Sequence, residues 1–193
     1  MYSRTVLVLT IGITALLFFT SVSSSWGQIA EFLTFKNSRT GITIEYPSDW
    51  TIIKKNPSNP YAVVSFRIPF ESNPQLFHVG FGVSIEKLFT NKISLADYIA
   101  SRLAFKPSNC LNFRLIDSKP SNLTGFYPAH QLVYSCTIPH LNNMDFKYME
   151  RIMVKDKKAY LLSYGAETTT GSNYFDKYLP VAQRMINSFQ LTK

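Results

Sequence analysis

Apolar and polar positions alternate along much of the chain, dividing it into short strands between polar, Pro- and Gly-containing turns. Ile42, Ile44 and Tyr46 alternate with Thr43 and Glu45, the period-two pattern of a half-buried strand. Pro47 suits the second position of a type I turn, followed by the turn residues Ser48 and Asp49. Trp50 then opens a strand to Lys54 as a large core anchor. Ahead of this pair, Ala30 to Phe35 reads as a strand leading into a polar hairpin loop that ends at Gly41. After a Pro-rich loop at Asn56 to Pro60, Ala62 to Ile68 is the next strand, closed by Pro69. Phe77 to Leu88 has the cleanest alternation: Val79, Phe81, Val83 and Ile85 face one way, His78, Gly80, Gly82 and Ser84 the other. Glycines inside a strand mark close approach by another element, and a helix crossing that face is expected.

Two segments carry helical spacing. Ser94 to Asp97 forms a variant of the capping box, followed by the stripe Leu95, Tyr98, Ile99, Leu103 and Phe105; Lys106 to Asn109 is expected to end this helix. Strands are predicted over Phe113 to Ser118 and Ala129 to Ile138, joined by a Lys119–Pro128 loop. A turn at Pro139 to Asn143 leads to a hairpin, Phe146 to Val154 and Ala159 to Ala166. Both its strands are apolar on each face, as central strands covered above and below are. The second helix starts with Pro180 in its first turn, after a turn holding Tyr174, Tyr178 and Leu179. Val181, Met185, Ile186 and Phe189 form its buried stripe, with Asp176 near its positive end. Eight or so hairpin-linked strands and two helices exclude a doubly wound parallel fold. The class is α+β: a twisted, mainly antiparallel sheet sandwiched between helices.

Composition adds a domain and a destination. With 193 residues, 46% apolar and 15% aromatic, residues 28–193 can bury the core of a single domain. Residues 1–27 are distinct. Arg4 precedes an uncharged run from Val6 to Val22, followed by Ser23, Ser24, Ser25, Trp26 and Gly27. That is a secretory signal, cleaved after Ser25 or Gly27, or else a retained N-terminal membrane anchor, since about 17 apolar residues is the lower limit for a span. Either reading puts the domain outside, secreted or anchored at the extracytoplasmic face of the membrane. No cysteine follows the run, which argues against a lipid anchor.

The formal net charge is +8, and Arg4 is the one basic residue in the leader. Such a balance favours anionic surfaces. The basic residues are scattered, without a run of five, and give no support to nucleic-acid binding. Cys110 and Cys136 fall at the same open end of the Phe113–Ile138 hairpin, and in an exported chain a pair is more often bridged than free. A bridge would close a loop of about 25 residues, worth roughly 3.5 kcal/mol; the alternative is two buried thiols. Their spacing is not that of a redox or zinc site.

Chemistry is otherwise sparse. No nucleophile elbow, phosphate loop, zinc-protease or dinucleotide motif is present, and no acid/base pair stands out, so no enzyme is predicted. His140 and Asp145 flank one turn, with His130 ahead of it on an adjoining strand, and the three could form a surface site for calcium, manganese or zinc; ordinary surface residues are the competing reading. Asn122-Leu123-Thr124 is a glycosylation sequon.

The stretch Gly41–Trp50 (GITIEYPSDW) resembles the opening motif of PsbP-like domains, and Tyr174–Phe189 (YFDKYLPVAQRMINSF) is similar to their closing helix. Tyr160 to Tyr164 matches the family's last strand. The resemblance implies a Mog1/PsbP-like fold, with Tyr46, Trp50 and Phe189 as core markers. Photosynthetic members are extrinsic subunits that help photosystem II retain calcium and chloride. This chain looks more like the small exported archaeal and bacterial members, because the extended N-terminal segment of the photosystem subunits is not expected. The implied role is a non-catalytic binding or assembly module at the outer face of the membrane, its partner a membrane protein complex or an anionic envelope surface. The alternative is a metal-binding accessory subunit of a membrane redox or photosystem-type complex.

Overall fold

In a computed structural model, the described residues are 31–54, 60–69, 77–90, 92–169 and 173–192. The leader lies outside them, as do most of the Asn56–Pro60 loop and the loop before Phe77. Ten strands and two helices follow in order. They are β1 (Phe32–Asn37), β2 (Ile42–Pro47), β3 (Thr51–Ile53), β4 (Ala62–Pro69), β5 (Phe77–Lys87), α1 (Leu95–Asn109), β6 (Leu111–Leu123), β7 (Tyr127–Ile138), β8 (Met144–Lys155), β9 (Lys158–Glu167), α2 (Tyr174–Ser188) and β10 (Gln190–Leu191). Seven strands form one sheet in the order β3-β4-β5-β9-β8-β7-β6, with every neighbouring pair antiparallel. The fold is α+β and Mog1/PsbP-like.

The opening strands do not join that sheet. β1, β2 and β10 form a separate three-stranded sheet, with the chain's last strand paired to β2. Gly41 permits this closure. Its φ is +72°, and a Cβ there would stand 2.4 Å from the Thr192 carbonyl oxygen, while its own oxygen accepts from Thr192 N at 2.8 Å. Glycine meets both demands, the left-handed backbone and the close approach. The Glu45 amide donates to Ser188 Oγ at 2.9 Å, a second tie between β2 and the end of α2.

The large sheet has two unlike faces. One, with the small sheet and α2, buries Ile44, Trp50, Phe66, Phe81, Tyr164 and Phe189. Tyr46 stacks on Phe66 with centroids 4.7 Å apart, and Trp50 meets Tyr178 edge-on at 6.1 Å. The other face, under α1, buries Tyr98, Ile99, Leu132, Tyr134, Phe146 and Leu161. The α1 cap is as expected: Asp97 N donates to Ser94 Oγ at 3.1 Å, and Ser94 N donates to the Asp97 carboxylate at 3.3 Å. Between β8 and β9, Asp156 and Lys157 both have positive φ, the turn that suits a two-residue hairpin.

Four expectations change. Helix α2 begins at Tyr174, so Pro180 lies inside it rather than in its first turn. Burial of Phe175, whose carbonyl accepts from the Tyr164 hydroxyl at 2.7 Å, extends the helix backwards. Helix α1 runs on through Pro107 to Asn109, and Phe105 is exposed rather than part of the stripe. Strand β6 continues to Leu123, because an edge strand tolerates Pro120, which pairs with His130. Among the described residues, no helix lies on Gly80 and Gly82. With Ser65, Arg67, Ser163 and Gly165 they floor a groove of about 140 Å³ walled by strand residues. The close approach is at Gly165, where a Cβ would stand 2.4 Å from Cε1 of Tyr148 on the next strand.

Candidate functional site

Helix α1 presents Tyr98, Arg102 and Lys106 four residues apart, hence on one face. Opposite them, strand alternation aims Glu86 of β5, Tyr134 of β7 and Tyr148 and Glu150 of β8 at the helix. All of these but Glu150, together with Tyr61, Ser101 and Phe105, line a cavity of about 800 Å³, and Glu150 is bonded to three of the lining residues, Arg102, Lys106 and Tyr134.

Glu150 is the centre of this arrangement and is 3% exposed. Its Oε2 accepts from Arg102 Nε at 3.0 Å. Its Oε1 accepts from an Arg102 terminal nitrogen at 3.1 Å, from Lys106 Nζ at 2.7 Å and from the Tyr134 hydroxyl at 2.8 Å. Lys106 also contacts that hydroxyl and sits 4.1 Å from the Tyr134 ring centre. Glu86 accepts from the Tyr98 hydroxyl at 2.5 Å and pairs with Arg102 at 3.4 Å. Two acids and two bases thus neutralise one another inside the cleft.

The protonation states follow. Burial by itself would raise the Glu150 carboxyl, but the charges and hydrogen bonds of Arg102 and Lys106 outweigh it and hold it well below the usual carboxylate range. Burial opposes the Arg102 charge too, yet Glu150 leaves that guanidinium firmly protonated. Burial, with the repulsion of Arg102, lowers Lys106 despite the attraction of Glu150. Burial pushes the hydroxyls of Tyr98, Tyr134 and Tyr148 up. No tyrosine here ionises near neutral pH, and Glu150 stays charged.

Aromatic side chains extend the site. Phe113, Tyr134, Tyr148 and Phe146 contact in succession, with centroid separations of 5.5, 5.2 and 5.8 Å. Tyr148 also walls the glycine-floored groove, so cavity and groove adjoin.

Cys110 and Cys136 form a disulfide, with Cα atoms 5.4 Å apart, and both line the cavity. Cys110 is the C-cap of α1, so the bridge fastens the end of the helix to β7. His130 instead contacts Ser118 at 2.8 Å, and Asp145 accepts from the Thr137 hydroxyl at 2.5 Å. Thr137 is the cross-strand partner of Asp145 and lies seven residues beyond His130 on β7, about 23 Å along the strand. The structure does not bring His130 and Asp145 together. His140 lies on the single turn Pro139–Leu141, and its side chain is outside the described residues. Among the described residues no group of three His, Cys, Asp or Glu is placed to hold a metal ion. Asn122 is exposed near the end of β6, two residues ahead of Thr124 in the β6–β7 turn.

The cleft network was not read from the sequence. Two signals were available, the first being that Glu150 is a lone acid on the otherwise apolar strand face of Phe146, Tyr148 and Ile152. Arg102 and Lys106 follow Tyr98 on a helix face facing the core, a second such signal.

Comparison with solved structures agrees on the fold. The solution structure of cyanobacterial PsbP (CyanoP) from Synechocystis sp. PCC 6803 superposes with a TM-score of 0.59 at 16% identity, over 86% of this chain and 96% of that one. LpqN of Mycobacterium tuberculosis, involved in cell envelope biogenesis, gives 0.57 at 18% identity, over 84% and 91%. The Ran-binding protein Mog1p of Saccharomyces cerevisiae gives 0.54 at 8% identity, over 84% and 96%. No family model matches the sequence. Nor does any curated protein match it in sequence.

Proposed function

We propose that this protein is a non-catalytic binding module acting at the outer face of a membrane, with the cleft under α1 as its recognition site. The observation that carries this reading is the state of Glu150. A carboxylate held charged by Arg102 and Lys106 and hydrogen-bonded on both oxygens is a poor general base, since catalysis wants a pKa near the working pH. What the cleft offers is a fixed, neutralised polar floor beside aromatic walls. That combination suits holding a ligand with an apolar portion and a few polar contacts.

An extracytoplasmic setting is supported by the disulfide, which persists in oxidising compartments. The signal-like leader and the structural likeness to an envelope-biogenesis protein and to CyanoP point the same way. The expected partner is a membrane protein complex or an anionic envelope surface. Photo-crosslinking in native membranes tests the site. A photoreactive residue in place of Ser101, in the cleft, is expected to give a discrete adduct by mass spectrometry, and one in place of Lys177 on α2 is not. Free monomer alone from the Ser101 position would count against the reading.

A further inference from the structure

At one end of the large sheet three lysines stand in a single cross-strand row. Lys87 on β5 is the partner of Lys158 on β9, and Lys158 is the partner of Lys155 on β8. Directly opposed residues share a face of the sheet, and like charges so placed repel. Lys155 leans on Tyr127, its Nζ 2.7 Å from the hydroxyl and 4.2 Å from the ring centre. Lys157 lies exposed in the β8–β9 turn beside Asp156, and Lys92 is exposed nearby in sequence to Lys87. The Lys157 carbonyl accepts from the Leu88 amide at 2.8 Å, which holds the two segments together. The next residue, Phe89, is 105% exposed, the most exposed large apolar side chain among those described. Two further acids near this end are engaged elsewhere, Asp97 with Ser94 in the helix cap and Glu86 with Tyr98 and Arg102.

We infer that this end of the molecule docks on an anionic lipid bilayer, with Phe89 entering the interface and Lys87, Lys92, Lys157 and Lys158 meeting lipid phosphates. The row of lysines is repulsive in the free protein and is relieved by a dense array of negative charge. An exposed aromatic ring flanked in sequence by Lys87 and Lys92, on a segment tied to Lys157, matches the two layers of a bilayer surface, apolar at acyl level and anionic above it. The inference rests on the extracytoplasmic placement proposed above and concerns a different surface from the cleft.

Vesicle co-sedimentation tests it, with the protein as secreted into the exterior of an expressing cell. Vesicles of phosphatidylcholine alone are compared with vesicles holding three parts in ten of phosphatidylglycerol. Binding is expected to the anionic vesicles and not to the neutral ones. The triple variant Lys87→Gln/Lys157→Gln/Lys158→Gln is expected to bind about 100-fold more weakly, and Phe89→Ser about tenfold more weakly. A charge-matched variant, Lys36→Gln/Arg39→Gln/Lys177→Gln, controls for net charge. Equal losses in the two triple variants, equal binding to both vesicles, or no binding to either would overturn the inference. The Ser101 adduct reads the cleft independently, so its loss or survival separates failure of this docking surface from failure of the binding-module reading.

Discussion

The two faces of the large sheet are filled by opposite means. On the α2 side the core is apolar, with Phe66, Phe81, Tyr164, Met185 and Phe189 all fully or nearly fully buried. Those positions answer the hydrophobic effect, with the one polar tip, the Tyr164 hydroxyl, donating to the Phe175 carbonyl. On the α1 side a comparable layer of aliphatic and aromatic residues is interrupted by an ion network beside an open cavity, with Glu150 buried and Arg102 and Lys106 partly buried. Desolvating such charges costs about as much as their attraction returns, so the network is weak evidence of a stability role. The difference teaches which face builds the fold and which is free to differ: the first could hardly be changed without unfolding, and the second retains a polar site that stability does not require.

The largest effects test that contrast directly. Trp50→Ala is expected to lose about 3–5 kcal/mol of unfolding free energy in urea, since the indole is 4% exposed. Glu150→Ala is expected to lose a similar amount, about 3 kcal/mol, by leaving partly buried Lys106 without its carboxylate and Arg102 with Glu86 alone. The two losses look alike but have different remedies. Replacing the whole network, Arg102→Met/Lys106→Met/Glu150→Leu, should restore wild-type stability or exceed it by about 1–4 kcal/mol, whereas no comparable repair exists for Trp50. A triple variant as unstable as Glu150→Ala would make the network a pillar of the fold and erase the contrast.

Removal of the disulfide by Cys110→Ser/Cys136→Ser should cost about 3.5 kcal/mol on the loop it closes, and amide exchange should quicken first at the end of α1. Gly41→Ala should cost about 1–2 kcal/mol for the left-handed backbone, with more if Thr192 cannot shift, and the loss should localise to the small sheet. Near neutral pH the smallest effect is that of acid. Because the Glu150 carboxyl titrates lower in the folded protein than in the unfolded chain, the unfolded chain takes up the proton first. Its contribution is therefore complete above the ordinary carboxylate pKa of about 4.3 and is lost as pH falls from about 5 downward. Glu150→Gln should flatten that limb of the stability profile, and an unchanged limb would place the acid-sensitive group elsewhere.

How much of this could be read in advance follows the same division. The Gly41–Trp50 stretch and the closing helix were legible because alternation, turn residues and helical spacing act locally, and both meet on the α2 side through Gly41, Thr192 and Ser188. Their pairing as a separate small sheet was not legible, since β10 is two residues long and pairs with β2, near the opposite end of the domain in sequence. Helix α2 starts earlier than Pro180 suggested because burial of Phe175 overrides the local preference of proline. The cleft escaped notice because its members are single charged residues on three elements, and only tertiary packing shows that Arg102 and Lys106 converge on Glu150. The metal candidates show the same dependence on register: His130 was expected on the strand beside the turn that Asp145 flanks, and the β7–β8 register sets these two far apart.

In the proposed division of labour the α1 cleft serves recognition and the α2 face serves the fold. The adduct yield from the Ser101 position in native membranes, measured in the Arg102→Met/Lys106→Met/Glu150→Leu variant, tests it most directly. The prediction is a stably folded protein whose adduct is gone; a stably folded variant that still gives the wild-type yield would contradict it.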